Sequence, residues 1–92
     1  MFYKILVISM NGRRGRLDII SEILDTSRNG ARKVQIMYKV NMSSKQANDY
    51  LPFLTKKNLL RENGNGGKPI YETTDKGRRF IELHGEVKGY LA

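Results

Sequence analysis

Residues 31–58 read ARKVQIMYKVNMSSKQANDYLPFLTKKN, and their apolar spacing describes two helical segments with a tight turn between them. From Ala31 to about Val40, Val34, Met37 and Val40 share one face, with Ile36 beside it. Asn41-Met42-Ser43-Ser44 supplies the connection, and either serine can cap the following helix by accepting a backbone N–H bond. That helix, from Ser44 to about Lys57, carries Ala47, Tyr50, Leu51 and Leu54 on one face and Lys45, Gln46, Asn48, Asp49 and Lys56 on the opposite one. Pro52 removes one i to i−4 bond and is expected to bend the helix or shift its path. Asn58 follows where a left-handed C-cap is expected, a geometry asparagine tolerates better than most residues.

Upstream, Leu17, Ile20 and Leu24 recur at helical spacing between Arg14 and Thr26, flanked by Ile19 and Ile23, and Asn29-Gly30 ends that segment. Downstream the period changes. Leu59 to Asn63 and Pro69 to Thr73 are predicted strands joined by Gly64-Asn65-Gly66-Gly67-Lys68, a β-hairpin with a flexible tip. Thr74 then serves as N-cap of a last helix, with Asp75 in its first turn and Phe80, Leu83, Val87 and Leu91 three or four apart. Gly77, Gly85 and Gly89 are expected to weaken this helix. Residues 1–10, MFYKILVISM, form an apolar extension: either a short strand over Phe2 to Ile8 or a loose segment preceding a start at Met10.

Three helices, the second and third joined by a tight turn, then a hairpin and a final helix: this is the order of a winged helix-turn-helix. The expected fold is mainly α with a small β-hairpin (α+β), a three-helix core carrying a wing hairpin and a C-terminal helix. Ninety-two residues hold one such domain, over 11–92, and one modest core. The apolar run at the N-terminus is far shorter than the roughly 20 residues that span a bilayer. Arg13, Arg14 and Arg16 follow that run rather than precede it, so a cytoplasmic, nucleoid-associated protein is expected rather than a secreted or membrane one. The chain has no cysteine and a single histidine, His84, and no catalytic set, metal site, cofactor or small-molecule ligand is suggested.

The charge is lopsided: 17 Lys and Arg against 9 Asp and Glu leave a formal net charge of +8, a field that attracts polyanions. In a helix-turn-helix the second helix of the pair meets base edges in the major groove. Ser43, Ser44, Lys45, Gln46, Asn48 and Asp49 suit that position, because Gln and Asn can bond adenine bidentately, Lys can reach guanine and Asp can accept from cytosine. Around the hairpin tip, Arg61, Asn65 and Lys68 can approach phosphates or a minor groove. Arg13, Arg14 and Arg16 at the first helix, with Arg32 and Lys33 at the start of the second, are the expected phosphate contacts. A nucleotide phosphate loop is excluded: Glu62 stands where its first glycine is needed, and Pro69 where Ser or Thr should hold Mg²⁺. The expected partner is double-stranded DNA. The alternative is a winged helix that meets an acidic protein.

The stretch from Arg14 to Phe80 also resembles the archaeal winged-helix DNA-binding proteins that include small basic chromatin-associated members. The likeness lies in Arg16-Leu17-Asp18-Ile19-Ile20, in Gly30 to Ser43, in Tyr50-Leu51 with Leu59-Leu60, and in Tyr71-Glu72-Thr73-Thr74-Asp75-Lys76-Gly77, and it is most specific over Gln35-Ile36-Met37-Tyr38-Lys39. It implies DNA binding as a homodimer through the third helix and the wing. Val34 stands where relatives usually carry threonine, and Asn58 where they carry glycine. The last helix stops at Ala92, short of the long coiled coil that joins the chromatin-associated members. An altered dimer is therefore expected, with Phe80, Leu83, Val87, Tyr90 and Leu91 as its seam.

Overall fold

The computed structural model describes residues 14–64 and 67–92, so the extension at 1–10, Arg13 and Asn65 lie outside the described residues. Helix α1 (Arg16–Thr26) leads into a two-residue strand β1 (Ala31–Arg32), followed by α2 (Lys33–Val40) and α3 (Ser44–Lys56). The hairpin strands β2 (Leu60–Asn63) and β3 (Ile70–Thr73) precede α4 (Asp75–Leu91). All three strands form one antiparallel sheet in the order β1-β3-β2.

Each helix start has a local cause. Asp18 accepts the Gly15 N–H at the head of α1, and Gln35 accepts the Arg32 N–H at the head of α2. At α3 the bonds are reciprocal: the Ser43 hydroxyl accepts the Gln46 N–H at 3.1 Å while Gln46 Oε1 accepts the Ser43 N–H at 2.9 Å, a full capping box. Ser43, rather than Ser44, is thus the cap. Thr74 caps α4 by accepting the Gly77 N–H. Asn41 and Asn58 both take left-handed backbone angles, φ 59° and 63°, and so turn the chain after α2 and α3.

The core joins Ile20, Ile23 and Leu24 of α1, Ala31, Ile36 and Val40, Met42 of the turn, Ala47, Leu51 and Leu54 of α3, and Leu60 of β2. Two expectations are corrected here. Ala31 and Arg32 are not the first turn of α2 but a third strand, with Ala31 opposite Tyr71 and Arg32 opposite Ile70. The core face of α2 is Ile36 and Val40, while Val34 is 70% exposed and Met37 half-buried. In a helix of eight residues, about two turns, either stripe satisfies helical spacing, so only packing could choose. Leu17, in the first turn of α1, is likewise exposed. β3 is pinned to the end of α1 by the Thr73 hydroxyl bonding the Leu24 carbonyl and the Thr73 N–H bonding that of Ser27. Among the described residues no helix is long and apolar enough to cross a membrane.

Candidate nucleic-acid interface

The capping box and the turn at Asn41 aim α3 so that its polar face is open: Ser43, Ser44, Lys45, Gln46, Asn48 and Asp49 are all exposed, while Ala47, Leu51 and Leu54 hold the opposite face in the core. Three contacts extend this face into a strip. Lys33 Nζ donates to Asn48 Oδ1 at 2.5 Å, so the start of α2 lies against the middle of α3. On one side Arg32 donates to the Lys68 carbonyl at 3.2 Å, tying the hairpin to the same end of α2. On the other, Arg16 lies over the Phe53 ring, 5.0 Å from its centroid, and shares an open cavity of about 260 Å³ with Asp49, Tyr50 and Phe53. Lys57 approaches the same ring at 5.9 Å. Contacts thus link the hairpin to the head of α2, the head of α2 to α3, and α3 to the head of α1.

Ion pairing separates the cations into two groups. Arg28, Arg78, Arg79 and Lys88 pair with Asp25, Asp75, Glu82 and Asp18. Arg16, Arg32, Lys33, Lys45 and Lys68, all on the strip, have no acidic partner among the described residues, and neither do Lys39, Lys56, Lys57 and Lys76. A cation without a carboxylate within reach keeps its full field for an outside anion.

Two expected contacts are placed differently. Arg14, though exposed, is already engaged by the protein: it pairs with Glu22 at 2.6 Å and donates to the carbonyls of Val40 at 2.7 Å and Asn41 at 3.5 Å. It therefore closes the end of α2, whose last carbonyls lack helical partners. Arg61 faces Glu72 across the hairpin at 3.7 Å, a registered cross-strand pair. Glu22, eight residues on from Arg14, and Glu72, across the hairpin from Arg61, lie outside the three- and four-residue spacings that mark helical ion pairs.

On α4, Leu83, Val87, Tyr90 and Leu91 are exposed, but Phe80 is half-buried against the core and stacks on His84. His84 Nε2 lies 2.8 Å from Asp18 Oδ1, and Lys88 Nζ is 3.2 Å from the same oxygen, a clasp between α4 and α1 that sequence reading missed. Burial pushes the Asp18 carboxyl upward, but the bonds from the Gly15 N–H, His84 and Lys88 outweigh it and hold it below its ordinary value. Burial and the nearby Glu62 push the Tyr71 phenol up. Among the described residues no three His, Cys, Asp or Glu side chains come together to hold a metal ion.

Residues 13–91 match the sequence profile of the winged helix-turn-helix family. The structure is similar to that of Sso10a-2, a DNA-binding protein from Sulfolobus solfataricus, with 26% identity, 85% of each chain covered and a TM-score of 0.74. It is also similar to the transcriptional regulator YodB from B. subtilis, at 20% identity, covering 98% of this chain and 91% of that one, TM-score 0.66. Human N-acetylserotonin methyltransferase is similar over 67% of this chain and 18% of its own, at 17% identity and a TM-score of 0.58. No curated protein matches at a significant level. Because the last two likenesses speak of fold alone, and one is to an enzyme, function has to be argued from the surface.

Proposed function

The chain belongs to the winged helix-turn-helix family, and from that membership we propose that it binds double-stranded DNA, with α3 in the major groove and the hairpin as a wing on the backbone or minor groove. The observation that carries this reading is that Arg16, Arg32, Lys33, Lys45 and Lys68, which have no acidic partner among the described residues, lie on or against the open polar face of α3 and the elements that contact it. Ser43, Ser44, Lys45, Gln46, Asn48 and Asp49 would face base edges, and Arg13 and Asn65 would add further contacts. The protein acts as a transcriptional regulator or a small chromatin protein on the nucleoid, as a dimer joined along α4. It is not an enzyme in this reading. The likeness to Sso10a-2, itself a DNA-binding protein, supports it.

Titration of duplex DNA at several salt concentrations tests it. Neutralising five phosphates makes log K fall against log salt with a slope of about −4.5 per protomer, and a flat response overturns the proposal. One observation favours a second reading, a surface for a protein partner. Val34 and Tyr38, 70% and 88% exposed, stand one turn apart on α2. Under that reading, changing Lys45 and Gln46 to Ala leaves any retention on DNA unaffected. Under the first it abolishes retention.

A further inference from the structure

We propose that Lys33 and Asn48 act as one unit that reads guanine rather than adenine in the major groove. The inference rests on the DNA-binding reading and adds base specificity to it. Adenine presents one acceptor, N7, and one donor, the N6 amino group, so an asparagine that reads it must offer both its Nδ2 hydrogens and its Oδ1 lone pairs. In this protein Oδ1 of Asn48 is engaged by the Lys33 ammonium at 2.5 Å.

The orientation of the amide follows from chemistry, since an ammonium has only donors and must face the oxygen. One lone pair of Oδ1 remains, but an incoming N6 amino group would meet a cation whose hydrogens point at the same oxygen. Donor would face donor. Guanine instead presents two acceptors, N7 and O6. The Asn48 Nδ2 hydrogens and the free hydrogens of the Lys33 ammonium are neighbouring donors, one on the amide and one on the cation that bonds it. They match those acceptors as an arginine fork does.

Gln46, the other amide near the start of α3, is committed in the same sense. Its Oε1 accepts the Ser43 N–H at 2.9 Å, so one of its two lone pairs is used while its amino group has no partner among the described residues. The uncommitted acceptors at the head of the helix are the Asp49 carboxylate and the hydroxyl of Ser44, so the surface as a whole offers donors. In this arrangement Lys33 is a positioning residue for Asn48 as well as a donor in its own right.

The test is selection of bound sequences from random duplexes with the full chain, its Lys33→Arg and Lys33→Met variants and Asn48→Ala, folding being checked by circular dichroism. Wild type and Lys33→Arg, which keeps the donor, should enrich guanine over adenine about tenfold at one position of the site. Lys33→Met frees Oδ1 and should move that position toward adenine. Asn48→Ala should lose the preference there while keeping those at other positions. Adenine selected by wild type, binding without enrichment, or a guanine preference that survives both Lys33→Met and Asn48→Ala overturns the inference and leaves DNA binding standing. Retention of no duplex at low salt overturns both.

Discussion

Arg14 and Arg16 are alike in sequence and both exposed, yet Arg14 is engaged by the protein's own acceptors and Arg16 has no acidic partner among the described residues. The difference is made by Glu22, two turns along α1, and by the last carbonyls of α2, which together give the Arg14 guanidinium three acceptors. Charge-assisted bonds of this kind contribute about 1.5–3 kcal/mol when partly buried. Arg14→Ala should therefore lower the stability measured by urea unfolding by about 1–2 kcal/mol and leave the salt slope of DNA binding unchanged. Lys45→Ala should do the reverse, reducing the slope by about one.

Asp18 offers a second residue-scale test. Its carboxyl is held below the ordinary value by Gly15, His84 and Lys88 despite partial burial. A depressed carboxylate adds stability that is fully present above its unfolded value, 3.8, and is lost as pH falls through the lower folded one. The stability gap between wild type and Asp18→Ala, followed by thermal unfolding, should be widest at pH well above 3.8 and narrow as pH falls below it.

At the scale of elements, the glycines of α4 separate into two kinds. A Cβ at Gly77 would strike the Leu59 carbonyl oxygen and lie 2.6 Å from Thr73 Cγ2, so this glycine is what lets α4 sit against the hairpin. Gly85 and Gly89 face open space, and their only effect is to weaken the helix. Gly77→Ala should destabilise by about 1–3 kcal/mol. Gly85→Ala and Gly89→Ala should each stabilise by about 0.5–1 kcal/mol and raise helicity by circular dichroism. All three glycines look equally unfavourable in the sequence, because a close approach between α4 and the residue before β2 has no local signature. The same limit hid β1: two residues of strand carry no period of their own, and Ala31-Arg32 pair with β3 only once the hairpin is in place.

For the molecule as a whole, α4 is the element that outruns the core. From Gly85 onward its residues are all exposed, and Leu83, Val87, Tyr90 and Leu91 line one side of it. The molecule is correspondingly long, 52 × 26 × 19 Å. If this stripe joins two protomers, Leu83→Glu combined with Val87→Glu should yield a monomer in sedimentation equilibrium. Its unfolding by denaturant should then be independent of protein concentration, whereas wild type should be stabilised as concentration rises. A wild type that sediments as a monomer at high concentration removes the dimer from the proposed function.

The helix-turn-helix and hairpin order was legible in the sequence because each of its elements is specified locally. The Ser43–Gln46 capping box, the asparagines at 41 and 58, the glycine-rich tip and the alternation between helical and strand period all act within a few residues of themselves. The polar face of α3 was legible for the same reason, since its apolar opposite face is strongly periodic. Packing between distant segments decided the rest: which stripe of α2 faces inward, which arginines are engaged within the protein, and which atoms of Asn48 stay free to meet a base. The paired groups depend on partners that the fold brings near, Val40 for Arg14, Glu72 across the hairpin for Arg61 and Lys33 for Asn48.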